Sequence, residues 1–200
     1  FTTPAIRAAK QQLPNAEIHF LTKPSMRSVT EANPYIDKFH YLDKDLSKTI
    51  AALKEANFDY VIDLHKNFRT HKIKRALGVP ALTYNKLSWQ KLLLTKFHLN
   101  FMPHRHISDR CVDTLASLDV VNDGMGLDYF VPSTIQLNNN AIPASHQNGY
   151  IALVIGASFA SKKLPIEQLQ ALCLFLKYPV VLVGGKEDIF EGEIRKQVEI

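Results

Sequence analysis

Short apolar runs alternate with amphipathic stretches along almost the whole chain, and this alternation limits the fold more than any other feature. Residues 18–21, 36–42 and 60–64 read as strands, and 82–84 as a weaker one. Between them lie helical patterns. Thr3 is placed to cap a first helix, Pro4 fits its opening turn, and Pro14-Asn15 stops it after Leu13. Residues 25–32 read as a second helix. Asp45 caps a third that runs to Lys54, with Leu46, Ile50 and Leu53 on one face. After a polar stretch from Asn138 to Gly149 the alternation restarts: strand 150–155, helix 166–176, strand 180–183, a Gly184-Gly185 turn, and a polar helical pattern over 191–200. Strands and helices in strict turn favour parallel sheets covered by helices. The expected class is α/β, with one domain over 1–137, a linker over 138–149 and a second, incomplete domain over 150–200.

Composition removes other classes. With 8 glycines, 10 prolines and 46% apolar residues in 200, the chain is neither collagen-like nor disordered. No run approaches the roughly 18 apolar residues of a membrane span. Cys111 and Cys173 form no CxxC pair, which suits a reduced, cytoplasmic protein. The chain opens at a helix cap without methionine and closes inside a helical pattern, so both ends read as cut.

Charge is unevenly spread. Residues 1–110 carry 18 Lys and Arg against 9 Asp and Glu, whereas 111–200 carry 6 against 10. Residues 64–108 hold nine basic residues, five histidines and no carboxylate. Such a stretch favours an anionic partner: a phosphorylated glycolipid, a membrane surface or a nucleic acid. Within it, Trp89, Leu92, Leu93, Phe97 and Phe101 recur at helical spacing among Lys86, Lys91 and Lys96. The stripe fits either packing on the sheet or contact with an anionic bilayer.

Three polar turns follow strands, where open α/β sheets bind their ligands. The first is Asp63-Leu64-His65-Lys66-Asn67-Phe68-Arg69. In the second, residues 155–165 (IGASFASKKLP), a small-residue loop leads to a helix start. Free N–H groups, the dipole and Lys162 there favour a phosphate. The third is Gly184-Gly185-Lys186-Glu187-Asp188, whose acids could meet ribose hydroxyls or cap a helix. His104-Arg105-His106 lacks companions for a metal site, and neither a GxxxxGK[ST] loop nor a GxSxG nucleophile occurs.

Taken in order, TTPAIRA, FDYVIDLHKNFRT, HISDR, GAS…KKLP and VLVGGKED resemble the ADP-heptose:lipopolysaccharide heptosyltransferase family, glycosyltransferase family nine. The resemblance implies a GT-B-like fold of two Rossmann-like parallel-sheet domains facing a cleft. An ADP-sugar donor is then the substrate, with no cofactor. The acceptor is an anionic lipopolysaccharide core met at the cytoplasmic face of the inner membrane, and no nucleic acid is bound. Carried over residue by residue, Ser158 and Lys162 match the donor phosphate loop, Lys162 neutralising the departing diphosphate. Glu187 or Asp188 matches the acid near the donor nucleoside. Lys66, Arg69, His106 and Arg110 fall on the acceptor side. The family's Gly-Asp loop, source of the catalytic base, would precede Phe1, and its later Asp/His donor motif would follow Ile200. Leu164 stands where many relatives have Trp. The 200 residues alone are therefore expected to be inactive. Two other readings are a different Rossmann-like nucleotide-sugar or dinucleotide enzyme, and a nucleic-acid-binding module using residues 64–108.

Overall fold

A computed structural model describes residues 1–136, 142–185 and 188. Contacts divide the chain into two compact units, Phe1–Ile135 and Gln136–Ile200.

The first unit opens with helix α1, Thr3–Gln12. Strand β1 (His19–Thr22) leads through a 3-10 turn, Pro24–Met26, into the short helix α2 (Arg27–Thr30) and then strand β2 (Lys38–Tyr41). Helix α3 (Leu46–Lys54) precedes strand β3 (Val61–Asp63). Helix α4 (Phe68–Leu77) crosses over to strand β4 (Ala81–Thr83). Helices α5 (Ser88–Phe97) and α6 (Ile107–Asp113) follow. The strands pair in parallel, His19 opposite Lys38 and Val61 opposite Ala81. Parallel neighbours need such crossovers, and the parallel pairing expected from the alternation is present.

Local chemistry accounts for most boundaries. Asp45 accepts the Ser47 N–H (2.9 Å) and starts α3. Asn67 and Thr70 form a reciprocal capping box at the start of α4. Gly78, in the left-handed region at φ 69°, ends that helix. Two expectations need correction. Thr2, not Thr3, is the N-cap of α1 and makes no side-chain cap; the Thr3 hydroxyl instead accepts the distant Asp128 N–H (3.1 Å). The helix read over 25–32 is instead a 3-10 turn and one α-turn, ended where Asn33 Oδ1 accepts the Tyr35 N–H.

The core of this unit lies between α1 and α6. Ala5, Ala8 and Ala9 are small enough to bring α1 close to Cys111, Val112 and Leu115, with Tyr84 and Val120 completing the cluster. Arg7, 1% exposed, emerges beside this apolar contact. Its Nε and Nη2 donate to Asp123 (2.7 and 2.8 Å), its Nη1 to Asp128, and Nη2 also to the Gly126 carbonyl (3.0 Å).

The second unit holds strand β5 (Ile151–Val154), helix α7 (Ile166–Leu176) and strand β6 (Val180–Val183), a βαβ crossover pairing Ile151 with Val180 in parallel. His146 is buried beneath it, with Nε2 3.3 Å from the Val180 carbonyl. The Asn138–Asn140 run and the helical pattern over 191–200 lie outside the described residues.

Hydrogen bonds from Arg7 hold the Asp123 carboxyl down from 3.8 to about 2. A lowered carboxylate stabilises the fold above its unfolded value, and that share is lost as pH falls through about 2. Arg7→Met leaves two partly buried carboxylates unpaired and should cost about 3 kcal/mol at neutral pH. The penalty should shrink on acidification toward pH ~3 as those carboxylates take up protons. Urea midpoints of both chains at the two pH values check this.

Candidate functional site

The polar turns expected after strands are all at C-terminal strand ends, and each is organised by a buried carboxylate. In the first unit this is Asp63, the last residue of β3, which is 4% exposed. Its Oδ1 accepts the N–H groups of His65 (3.1 Å) and Lys66 (2.7 Å), and its Oδ2 meets the Lys74 ammonium at 2.8 Å. Burial raises its pKa, but Lys74, the Lys66 N–H, the Thr70 hydroxyl and the His65 N–H outweigh that and keep it below the ordinary range. The turn is held so tightly that Lys66 adopts φ 46°, a left-handed conformation uncommon outside glycine. Lys66 and Arg69 are both exposed beyond it.

Strand β4, parallel to β3, ends beside a cleft of about 490 Å³. Thr83, Asn85 and Leu87 form one wall, and Arg105, Arg110 and Asp113 the other. Helix α6 delivers Arg110, whose guanidinium donates to the Asn85 carbonyl (2.6 Å) and lies 5.0 Å from the Tyr84 ring centre. Arg105 pairs with Asp113 at 3.0 Å. The Arg110 guanidinium at a parallel strand end suits an anionic group, with the Arg105–Asp113 pair beside it and the Asn85 side chain available for hydroxyls.

Of the residues expected on the acceptor side, Arg110 lines this cleft. Lys66 and Arg69 leave the same end of the neighbouring strand but do not line it. His106 does not line it either: as N-cap of α6 its Nδ1 accepts the Ser108 N–H (3.3 Å). Arg105 and Asn85 were not singled out from sequence. Nothing marks Asn85 locally, and Arg105 is one basic residue among nine.

In the second unit the organising carboxylate is Asp188, 5% exposed. It pairs with Lys163 Nζ and accepts the Gly185 N–H (2.9 Å). The Lys163 hydrogen bond, then the Gly185 N–H, lower its pKa. A Cβ on Gly156 would lie 2.6 Å from Asp188 Oδ2, and one on Gly184 2.9 Å from Asp188 Cβ. Both glycines are thus explained by close approach of this side chain, which ties the turn after β5 to the turn after β6. Asp188 is occupied within the protein, and Glu187 lies outside the described residues. Ser158 is exposed in the turn after β5. Lys162 ends a 3-10 turn, Ala160–Lys162, exposed, with Nζ 5.4 Å from the Phe159 ring centre. Among the described residues no carboxylate pairs with Lys162, so its full charge is available to a ligand. Among those residues, too, no cluster of three His, Cys, Asp or Glu side chains could hold a metal ion.

No protein-family model and no curated protein matches the sequence. Solved structures do match. The glycosyl transferase family 9 structure from Veillonella parvula DSM 2008 aligns with a TM-score of 0.69 at 20% identity, covering 99% of this chain and 62% of that one. The E. coli ADP-heptose LPS heptosyltransferase II aligns with a TM-score of 0.60 at 15% identity, covering 94% and 61%. The chain therefore has the GT-B-like α/β fold of these structures and spans 62% and 61% of their lengths.

Removing Lys74 tests the first turn. Lys74→Met leaves Asp63 buried without its cation, so the carboxyl pKa should rise above the ordinary range. The loss at pH 7 should be about 3 kcal/mol, and it should narrow as pH falls and Asp63 takes up a proton. Carbon-detected titration of Asp63 and chemical denaturation read the two effects.

Proposed function

We propose that the protein carrying this chain is an inverting glycosyltransferase that moves a heptose or related sugar from an ADP-sugar to an anionic lipopolysaccharide-type acceptor. The observation that carries this reading is the likeness to a family 9 glycosyl transferase structure over 99% of the chain. The arrangement of charge supports it. Breaking the bond between sugar and diphosphate develops negative charge on the leaving oxygen, and groups fixed before the reaction stabilise that charge without reorganising. Lys162 and the Ser158 hydroxyl, both exposed in the turn after β5, are offered for that task. Lys163 and Asp188 act as positioning residues that hold the turn. On the acceptor side, Arg110 would take a phosphate or carboxylate group in the cleft, with Lys66 and Arg69 adding positive potential from the adjacent turn. The nucleotide sugar is the substrate, and no further cofactor is proposed. Deprotonation of the acceptor hydroxyl by a carboxylate completes an inverting displacement; the residue that performs it is not assigned among these 200.

Calorimetric titration of the complete protein with ADP should show saturable binding, and Lys162→Ala should weaken it. Because a single such group is worth about 10²–10³ in rate, the same variant should lower turnover with an ADP-sugar by tenfold or more. Absence of heat with ADP, or unchanged turnover in Lys162→Ala, overturns the reading.

A further inference from the structure

Helix α5 offers its apolar side chains to solvent. None of its residues is buried, and Trp89 and Phe97 are 76% and 62% exposed. Trp89, Leu93 and Phe97 fall one helical turn apart, on one face. The helix ends at His98, in the left-handed region at φ 55°, whose N–H bonds the Leu93 carbonyl. Beyond this reversal Leu99 and Phe101 are also exposed. Leu93 is half-buried, but packing on the sheet, one of the two readings of this stripe, does not cover Trp89, Phe97 or Phe101. Exposed aromatic and aliphatic side chains clustered in one segment in this way mark an interaction surface.

The charges say what kind of partner fits. Lys86, Lys91 and Lys96 lie along the same segment, within 45 residues that contain no carboxylate. Elsewhere in that stretch two positive groups are paired with carboxylates, Lys74 with Asp63 and Arg105 with Asp113. Among the described residues no carboxylate pairs with Lys91 or Lys96. Exposed aromatics interleaved with unpaired lysines match a negatively charged plane with an apolar interior, into which rings insert while ammonium groups stay with phosphates.

We propose that α5 and the loop following it dock this protein on an anionic lipid bilayer, Trp89 and Phe97 entering the headgroup boundary and Lys91 and Lys96 meeting lipid phosphates. The inference does not depend on sugar transfer. If that reading also holds, Leu87 at the start of α5, a wall residue of the cleft, places the cleft near the surface an amphiphilic acceptor occupies.

Trp89 is the single tryptophan of the 200 residues, so its fluorescence reports on this face alone. With vesicles of equal parts phosphatidylcholine and phosphatidylglycerol, its emission should shift to shorter wavelength and become protected from acrylamide. Phosphatidylcholine alone should cause neither change. The double variant Lys91→Gln, Lys96→Gln should bind anionic vesicles about twenty- to thirty-fold more weakly. Phe97→Ser should weaken binding about tenfold. All these positions are exposed, and far-UV dichroism should confirm unchanged folding. The proposal is overturned if anionic vesicles leave Trp89 unaffected, or if the charge variant binds as tightly as the parent. It is equally overturned if acrylamide cannot reach Trp89 in the free chain, because a second copy or another segment then covers the face, or if duplex DNA alone moves the emission. No nucleotide or glycolipid enters the assay, so its failure is separate from failure of the transferase reading.

Discussion

The first unit depends on one cation, the guanidinium of Arg7. It emerges from α1 one turn below Thr3 and satisfies Asp123, Asp128 and the Gly126 carbonyl together. Gln12, at the far end of the helix, exchanges hydrogen bonds with the Val121 backbone in both directions (2.8 and 2.9 Å), while the Thr3 hydroxyl accepts from Asp128. The helix thus holds the 121–128 segment at three levels by side chains alone, with no strand pairing. A cation this buried is tolerated because two carboxylates and a carbonyl replace its hydration. The consequence reaches the cleft. Segment 121–128 secures α1, the alanine face of α1 fixes α6, and α6 carries Arg110 and Asp113 to the end of β4.

The two units solve the strand-end problem in the same way. In each, a buried aspartate accepts backbone N–H from a turn, two for Asp63 and one for Asp188, and takes one lysine, Lys74 for Asp63 and Lys163 for Asp188. A different lysine nearby, Lys66 or Lys162, keeps its charge exposed. A carboxylate organising a turn would repel an anionic substrate if left bare. Neutralised by its own lysine it becomes a neutral scaffold, and the local field is then set by the lysine left over. The glycines at 156 and 184 belong to this scaffold, since any side chain there would collide with Asp188.

What the sequence made legible follows how local each signal is. Alternating periods revealed the parallel strand pairs and their crossover helices, and the Asp45 cap was readable because its partner lies two residues away. The KKLP lysines show the limit. Adjacent on the chain, they have opposite fates: Lys163 reaches a carboxylate 25 residues on, whereas among the described residues no carboxylate pairs with Lys162. Thr3 was misassigned for the same reason, its hydroxyl being taken by Asp128. His106 reads as a basic residue in a basic run, yet its ring is taken up capping α6, a helix whose seven residues are too few to display a period. The GT-B-like class came from ordered motifs rather than from any single one, which is why it survives at 20% and 15% identity to the solved structures.

Periodicity alone also could not decide the fate of the aromatic stripe in α5. A helix that faces a sheet and one that faces a bilayer share the same apolar spacing; only tertiary burial separates them. The same is true of net charge. Of the nine positive groups in 64–108, Lys74 and Arg105 are paired with carboxylates, and the ammonium of Lys72 lies over the Phe68 ring. What reads in sequence as a uniform basic run is, in space, divided: three cations have partners, while among the described residues no carboxylate pairs with Lys66 and Arg69 at the turn after β3 or with Lys91 and Lys96 on α5. Paired charges add little to the field at a distance, so it is the unpaired groups that count, and of these only Lys91 and Lys96 share a helix with the exposed rings of Trp89 and Phe97.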